Sequence, residues 1–405
     1  MRKLERWHAQ LDRSWLSLLM AACLILLLAI DAYAMYKIYV QRMDNALDYY
    51  PFWAGGREVL LHRQSPYEPE VMLSIQEAIY GRPALPDENQ HGYAYPAYSP
   101  LIVFPFLLLA WPVSTSVWIA LQQFLVIAAV ILIVRATGWS ISPWHLLLLC
   151  LVTMSFRYAM ITLVLGQTSI WVLLALSLAL WAGTRRRSGL AGLALAAGLL
   201  KPQLVLLPAL ALLVSLPSKH RLRLLLSLGA AIAILFLGSW LLAGPWLSDY
   251  WHLLQAYTGY SATQFPILDL ADTWLSPSIS HIANLAVICG LLVLFAAVLW
   301  RARGSGRLAL PVATAVITTQ LVVPQTGSYN LAVLVLPAIV ALQWFNRLQY
   351  RGQWYALAGR AVVWATLTLV PWLLWLILPG KGGVAIDKVV SPLLILLAIL
   401  PVLRS

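Results

Sequence analysis

Charged side chains are scarce in this sequence. Asp, Glu, Lys and Arg make up 10% of the 405 residues, where soluble domains carry about 25%. That shortage excludes an ordinary water-soluble domain. The 61% hydrophobic share and the mean hydropathy of +0.80 show what fills its place: apolar runs suited to lipid. Cysteine is nearly absent too. Cys23, Cys150 and Cys289 each fall inside an apolar run, which argues against a disulfide framework or a thiolate metal site. No GxxxxGK[ST] loop and no HExxH helix occurs, so no motif suggests a nucleotide-sugar donor or a zinc site. No small-residue cleavage site follows "MRKLERWHAQLDRSW", and the first apolar run is expected to remain as a span. No internal repeat and no low-complexity linker is seen.

What the sequence has in abundance is apolar run after apolar run. Backbone groups in lipid must be satisfied within their own segment, so these runs should be helices. They fall at roughly 15–36, 114–134, 144–163, 167–183, 189–215, 222–243, 282–301, 308–323, 328–346, 358–379 and 389–403. Pro100 to Trp111 is too short to span, since a crossing needs about 20 residues, and should be re-entrant or tilted. The 19 Trp and 17 Tyr suit interfacial belts.

The net charge of +12 is not a nucleic-acid signal, because the basic residues sit in short loops between apolar runs. That is how cytoplasmic loops read. Arg2, Lys3, Arg6 and Arg13, then "RRR" at 185–187, "KHRLR" at 219–223, "RARGSGR" at 301–307, and finally Arg347, Arg351 and Arg360 should share one side. The loop at 37–99 carries Asp44, Asp48, Glu58, Glu68, Glu70, Glu77, Asp87 and Glu88, and the loop at 244–280 has three Asp and no Lys or Arg. Both should lie outside.

"RRR" and "KHRLR" can share a side only if 189–215 does not cross once. Pro202 in "LLKPQ" disfavours a continuous helix there, so two half-length helices should meet at Lys201 on the outer side. The result is about 12 passes with both termini cytoplasmic. The polar interruptions at Asp48, "YAYPAYSP", "LGQTS", "LLKPQ" and "PQTGSYN" then all fall outside. Within the first outer loop, Pro69 and Glu70 suit a helix start. Val71, Met72, Ile75 and Ile79 share one face of an amphipathic helix fit for the membrane surface, and "PFWAGGREVLLH" reads as a second such element. The fold expected is all-α and polytopic, a single membrane domain over 1–405 whose outer loop, 37–99, carries the amphipathic helices.

Five pieces in this order carry a resemblance: "DYYPFWAGGREVLLHRQSPYEPE", "YAYPAYSPLIVFPF", "LGQTSIWVLLALSLAL", "AGLALAAGLLKPQLVLLPAL" and "PQTGSYNLAVLVLPA". With them the chain resembles the bacterial polyprenyl-phosphate-mannose-dependent alpha-1,2-mannosyltransferases, of the GT-C superfamily of integral membrane glycosyltransferases. The resemblance implies a GT-C-type bundle of about 11–13 transmembrane helices, a lipid-phosphate-linked sugar donor, and transfer to a lipid or glycan acceptor on the outer face of the plasma (inner) membrane. It implies no metal or other cofactor. It makes Asp48 the catalytic base and picks out Gly166, Gln167 and Lys201. The late polar break departs from the family, which commonly has Trp and His there; this chain has Gly327, Ser328, Tyr329 and Asn330.

The residue chemistry agrees. An acceptor hydroxyl must lose a proton as it attacks the anomeric carbon, and a carboxylate within hydrogen-bond reach can take it. Asp48 competes for this role with Asp44 and with Asp31, whose place inside the first span makes it functional or paired to a neighbouring helix. A lipid phosphate needs cations at headgroup depth. Lys201 and Arg157 lie in apolar runs away from the basic loops and suit that task, or else they snorkel to the interface. Gln167 either bonds the donor's phosphate or sugar or caps its helix. Tyr95, Tyr98, Tyr329 and Asn330 suit sugar contacts, with an aromatic belt as the competing reading for the tyrosines, and His91 could assist Asp48. Asp269 and Asp272 in "LDLAD" offer too few oxygens for a hard cation. A polytopic transporter or flippase is the alternative, with Asp31, Arg157 and Lys201 along its path.

Overall fold

Because lipid offers no partner to a backbone N–H or C=O, each apolar run must satisfy its own main chain as helix. The computed structural model describes residues 22, 25–37, 40–42, 48–260, 275–323, 327–350, 355–377 and 381–400, and every regular element among them is helical. The chain is an all-α polytopic membrane protein. Residues 25–37 form α1. There follow α2 (Tyr49–Arg57), α3 (Pro69–Tyr80), α4 (Ser99–Leu107), α5 (Trp111–Thr137), α6 (Pro143–Ser155), α7 (Arg157–Leu165), α8 (Ser169–Thr184), α9 (Ser188–Ala197), α10 (Pro202–Ser215) and α11 (Ser218–Ala243). The chain continues with α12 (Leu247–Tyr260), α13 (Pro277–Ala302), α14 (Ala309–Val322), α15 (Val335–Tyr350), α16 (Tyr355–Thr368), α17 (Val370–Ile377) and α18 (Lys381–Ile399).

Among the described residues four helical stretches are long and apolar enough to cross a membrane unaided: Trp111–Thr137, Ser218–Ala243, Ile279–Ala302 and Ser328–Gln349. Two bent pairs raise that to six. The other apolar runs are built from shorter helices, and the breaks have identifiable chemistry. The run 189–215 breaks at Lys201, as Pro202 requires, with α10 starting at the proline. The run 358–379 bends by 52° at the junction of α16 and α17, where Pro371 lacks the N–H a continuing helix needs. The run 144–163, expected to be one helix, bends by 60° between α6 and α7, where Phe156 takes ψ 120°. The Ser155 carbonyl at this bend accepts from Trp372 Nε1 at 3.2 Å, so the break leaves that group satisfied.

Three basic loops meet on one face. The Gly304 and Gly306 N–H groups donate to the Val214 and Ser215 carbonyls at 3.1 and 2.9 Å. Arg221 Nη2 donates to the same Val214 carbonyl at 2.7 Å, and the Arg186 guanidinium lies against Gly306. "RRR", "KHRLR" and "RARGSGR" therefore share a side, as their charge required. Both α8 and α10 end at this face. α8 has 16 residues and is about 24 Å long, which separates the basic face from Ser169 at its other end.

A second, aromatic core packs the first loop onto the bundle: Tyr49, Phe52, Tyr67, Tyr93, Trp118 and Trp246 are all buried in it. Gly55 and Gly56 permit the close packing, since a Cβ would stand 2.5 Å from Tyr93 Cδ2 at the first and 2.7 Å from Leu107 Cδ1 at the second. The apolar face expected on α3 is real, with Val71 and Ile75 buried. It is turned to protein rather than to lipid: Met72 packs against the Phe52–Tyr93 core, and the buried Gln76 holds the Gln90 carbonyl (3.0 Å) and the Ala84 N–H (3.0 Å). The segment Pro100–Trp111 gives only the nine-residue α4, kinked at Val103 and carrying Pro105 inside.

Candidate active site

Asp48 stands at the cap position of α2, but its carboxylate makes no capping bond. The next residue fixes its place. The Tyr49 ring stacks on Trp118 at 5.0 Å and on Trp111 at 5.9 Å, and its hydroxyl bonds Ser114 Oγ at 3.0 Å. With Tyr49 anchored in the core, the Asp48 carboxylate turns across the bundle: Gln167 Nε2 donates to its Oδ2 at 2.8 Å.

Gln167 is placed by the end of α7. Gly166 takes the left-handed conformation, φ +68°, which a residue with a Cβ adopts at a cost. The carbonyl of Gly166 accepts from Trp118 Nε1 at 2.8 Å. The turn therefore holds Gln167 next to the same tryptophan that anchors Tyr49. Its side-chain oxygen accepts from the Tyr95 hydroxyl (3.2 Å) and from Lys201 Nζ (3.0 Å).

Lys201, only 6% exposed, sits in the break before α10. Its ammonium donates to Gln167 Oε1, to Ser169 Oγ at 2.9 Å and to Asn330 Oδ1 at 2.8 Å. An ammonium has three donors, and all three meet neutral oxygens. The ring of Tyr329 covers it, with its centroid 4.4 Å from Nζ, a cation–π distance. Ser169 Oγ also donates to Asn330 Oδ1 at 3.1 Å, and Thr162 Oγ1 holds the Tyr329 carbonyl at 3.0 Å. The late break thereby docks on α7 and α8. Among the described residues the ion pairs are His62–Glu58 and Arg82–Glu88, so Lys201 has no carboxylate at ion-pair distance.

The structure thus joins Asp48, Tyr95, Gln167, Lys201, Tyr329 and Asn330 in one network. Other residues singled out from the sequence lie elsewhere. Arg157 starts α7, nine residues long, so about 13 Å of helix separates it from Gly166. Its guanidinium lies over the rings of Tyr158 and Trp375 at 5.8 and 5.6 Å. The Asp31 carboxylate accepts from Gln123 Nε2 of α5 at 3.0 Å, a pairing between helices. Asp44, Asp269 and Asp272 lie outside the described residues. His91 is half-buried at φ +47°, its ring 5.4 Å from that of Tyr80. Burial pushes its imidazole below the usual histidine range, and the nearby Asp48 carboxylate opposes that shift. Tyr98 donates to the Leu199 carbonyl at 3.2 Å, which braces the chain just before Lys201. Ser169 was not anticipated; its only signal was its place in "GQTS", at the first turn of α8.

A carboxylate and a buried lysine are thus joined by one amide inside a helical membrane bundle. The chain belongs to glycosyltransferase family 87, whose pattern matches residues 93–324, more than half of its length. No curated protein and no solved structure matches the chain. The family match includes Tyr95, Gln167, Ser169 and Lys201. It begins after Asp48 and ends before Tyr329 and Asn330, which the fold brings to the same place.

Proposed function

We propose that this glycosyltransferase moves a sugar, mannose by the resemblance of its motifs, from a polyprenyl-phosphate donor to a hydroxyl of a lipid or glycan acceptor, with inversion. Asp48 takes the acceptor proton as the acceptor oxygen bonds to the anomeric carbon. The bond from that carbon to the phosphate oxygen breaks on the opposite face, and its electron pair leaves with polyprenyl phosphate. One carboxylate suffices for this displacement. A retaining two-carboxylate arrangement would require a second one about 5 Å away.

The observation that carries this reading is Lys201. A buried ammonium without a directly paired counter-ion is costly; no described carboxylate lies at ion-pair distance from Lys201, and Asp48 acts on it only across the Gln167 amide. The donor's phosphate is an anion of the right kind, and an N–H···O–P bond would replace one of the three bonds to neutral oxygen. Arg157, at the far end of α7 with its guanidinium over Tyr158 and Trp375, is not part of the hydrogen-bonded network around Lys201. Sidedness supports the same assignment. The site lies at the ends of α8 and α10 opposite the basic loops, so with those loops cytoplasmic it opens outward, where lipid-linked donors rather than nucleotide sugars are used.

The test is transfer of label from radioactive polyprenyl-phosphate-mannose to a membrane lipid extract by the full-length protein in nanodiscs, for wild type and Lys201→Ala. The expected result is transfer by wild type and a donor KM raised at least ten-fold by the substitution. Equal donor KM in the two proteins would remove Lys201 from the phosphate.

A further inference from the structure

The Gln167 amide can point only one way. An ammonium donates and cannot accept, whereas an ionised carboxylate accepts and cannot donate. With Lys201 Nζ 3.0 Å from one end and Asp48 Oδ2 2.8 Å from the other, the oxygen must face the lysine and the nitrogen the aspartate. The Tyr95 hydroxyl, 3.2 Å from Oε1, donates to that oxygen in this orientation. Gln167 itself is buried and starts from the fixed turn at Gly166, so the amide has little freedom to rotate away.

Resting on the transferase reading above, we infer that Gln167 is a positioning residue for the base and not a ligand of the donor phosphate. Its N–H holds Oδ2 of Asp48 and fixes the carboxylate plane. Oδ1, which makes no hydrogen bond among the described residues, is left to receive the acceptor proton. A hydrogen bond to the charged form of a carboxylate also favours that form, so the same contact keeps the base ionised. The lock is set from the donor side, since Lys201 orients the amide and Tyr95 adds a second bond to its oxygen. Other titratable groups facing Asp48 are Lys201 at the break before α10 and His91 from the outer loop.

The experiment measures kcat and donor KM across pH in nanodiscs with polyprenyl-phosphate-mannose and a membrane lipid extract. The proteins are wild type, Gln167→Leu, Gln167→Glu and Tyr95→Phe, with Asp48→Asn and His91→Gln alongside. Gln167→Leu should lower kcat about ten- to a hundred-fold, the worth of one hydrogen bond to a charged group. Donor KM should stay within about two-fold, and the acid limb of the pH–rate profile should move to higher pH. Gln167→Glu keeps the shape, guards against a folding defect, and should move that limb further, because a second carboxyl disfavours the charge on the first. Tyr95→Phe removes only a second bond to the amide oxygen and should cost less than Gln167→Leu. The displaced limb must persist when His91→Gln is combined with Gln167→Leu. A donor KM raised in both Gln167 variants with the acid limb unmoved would overturn the inference and make Gln167 a phosphate ligand. A wild type that transfers no label, or an Asp48→Asn protein as active as wild type, would instead strike the transferase reading or its base, and this inference with it.

Discussion

Lys201 Nζ lies 2.8 Å from Asn330 Oδ1, across 129 residues of sequence. That bond joins two interruptions of the α-helices at this end, the proline break before α10 and the 3-10 turn Ser328–Leu334. Irregular backbone is permitted at membrane depth where protein encloses it or a cavity is lined by it, and here each break supplies the polar partner of the other. Asn330→Asp replaces a neutral acceptor by a carboxylate and cancels the charge that the donor phosphate would meet. A donor KM raised at least ten-fold, with kcat at saturating donor changed less, is the expected outcome of steady-state transfer. An unchanged donor KM would show that the charge on Lys201 is not read by the donor.

Gly166→Ala tests the turn. Its φ of +68° disfavours a Cβ, and that atom would stand 2.7 Å from Tyr49 Cβ. The left-handed conformation costs an L-residue about 1–2 kcal/mol, and overpacking a tight contact costs typically about 1–3 kcal/mol. Thermal unfolding in detergent should show a midpoint several degrees below wild type, with transfer reduced at temperatures where the protein is still folded, because Tyr49 anchors Asp48. A midpoint equal to that of wild type would contradict the packing described.

The outer loop has its own clasp. Arg82 Nη1 and Nη2 reach Glu88 Oε2 and Oε1 at 2.8 and 2.7 Å, and the Leu85 N–H joins them at 2.8 Å. The Arg82 hydrogen bonds, followed by that N–H, push the Glu88 carboxyl down to about 2 from 4.5. A depressed carboxyl stabilises above its unfolded value, and that help is lost as pH falls from about 4.5 through about 2. Hydrogen exchange over residues 82–92 should therefore lose protection on acidification in wild type, and Glu88→Gln should be unprotected already at neutral pH. Equal protection in both proteins would mean that the clasp does not order the loop.

His91 rides on the same loop. Burial holds its imidazole below the ordinary histidine value of 6.5, so the unfolded loop takes the proton first and folding of the loop gains as pH rises toward that value. Exchange protection around His91 should rise as pH approaches 6.5 from below and level off above it, and His91→Gln should flatten that slope. A slope of the same size in the variant would assign it to another group.

Several of these relationships were readable from the residues alone. "LLKPQ" could hardly be one helix, and the charge on its flanks required a return; the break and the buried Lys201 are where that reasoning puts them. The positive φ at the turn before Gln167 falls on a glycine, Gly166, which adopts it freely. Other relationships were not, because they depend on which way a side chain faces once helices pack. Nothing local marks the bend at Phe156, which lacks a proline, yet it decides that Arg157 points toward Trp375. Asp31 inside the first span reads as either functional or paired, and only packing shows the pairing, with Gln123 on α5. The apolar face of α3 could serve lipid or protein equally well, and only the aromatic core beneath it selects protein. Ser169 is one serine among many until Lys201 arrives beside it.

The proposed transfer stands or falls with Asp48 as the base. The most direct test is label transfer from polyprenyl-phosphate-mannose by Asp48→Asn, with binding of polyprenyl phosphate measured on the same preparation. Asn keeps the shape and removes the proton acceptor, and general-base catalysis is worth about 10²–10⁴-fold. The account predicts transfer lowered by at least a hundred-fold with polyprenyl phosphate bound as tightly as by wild type. Transfer at the wild-type rate by the Asn variant would contradict it.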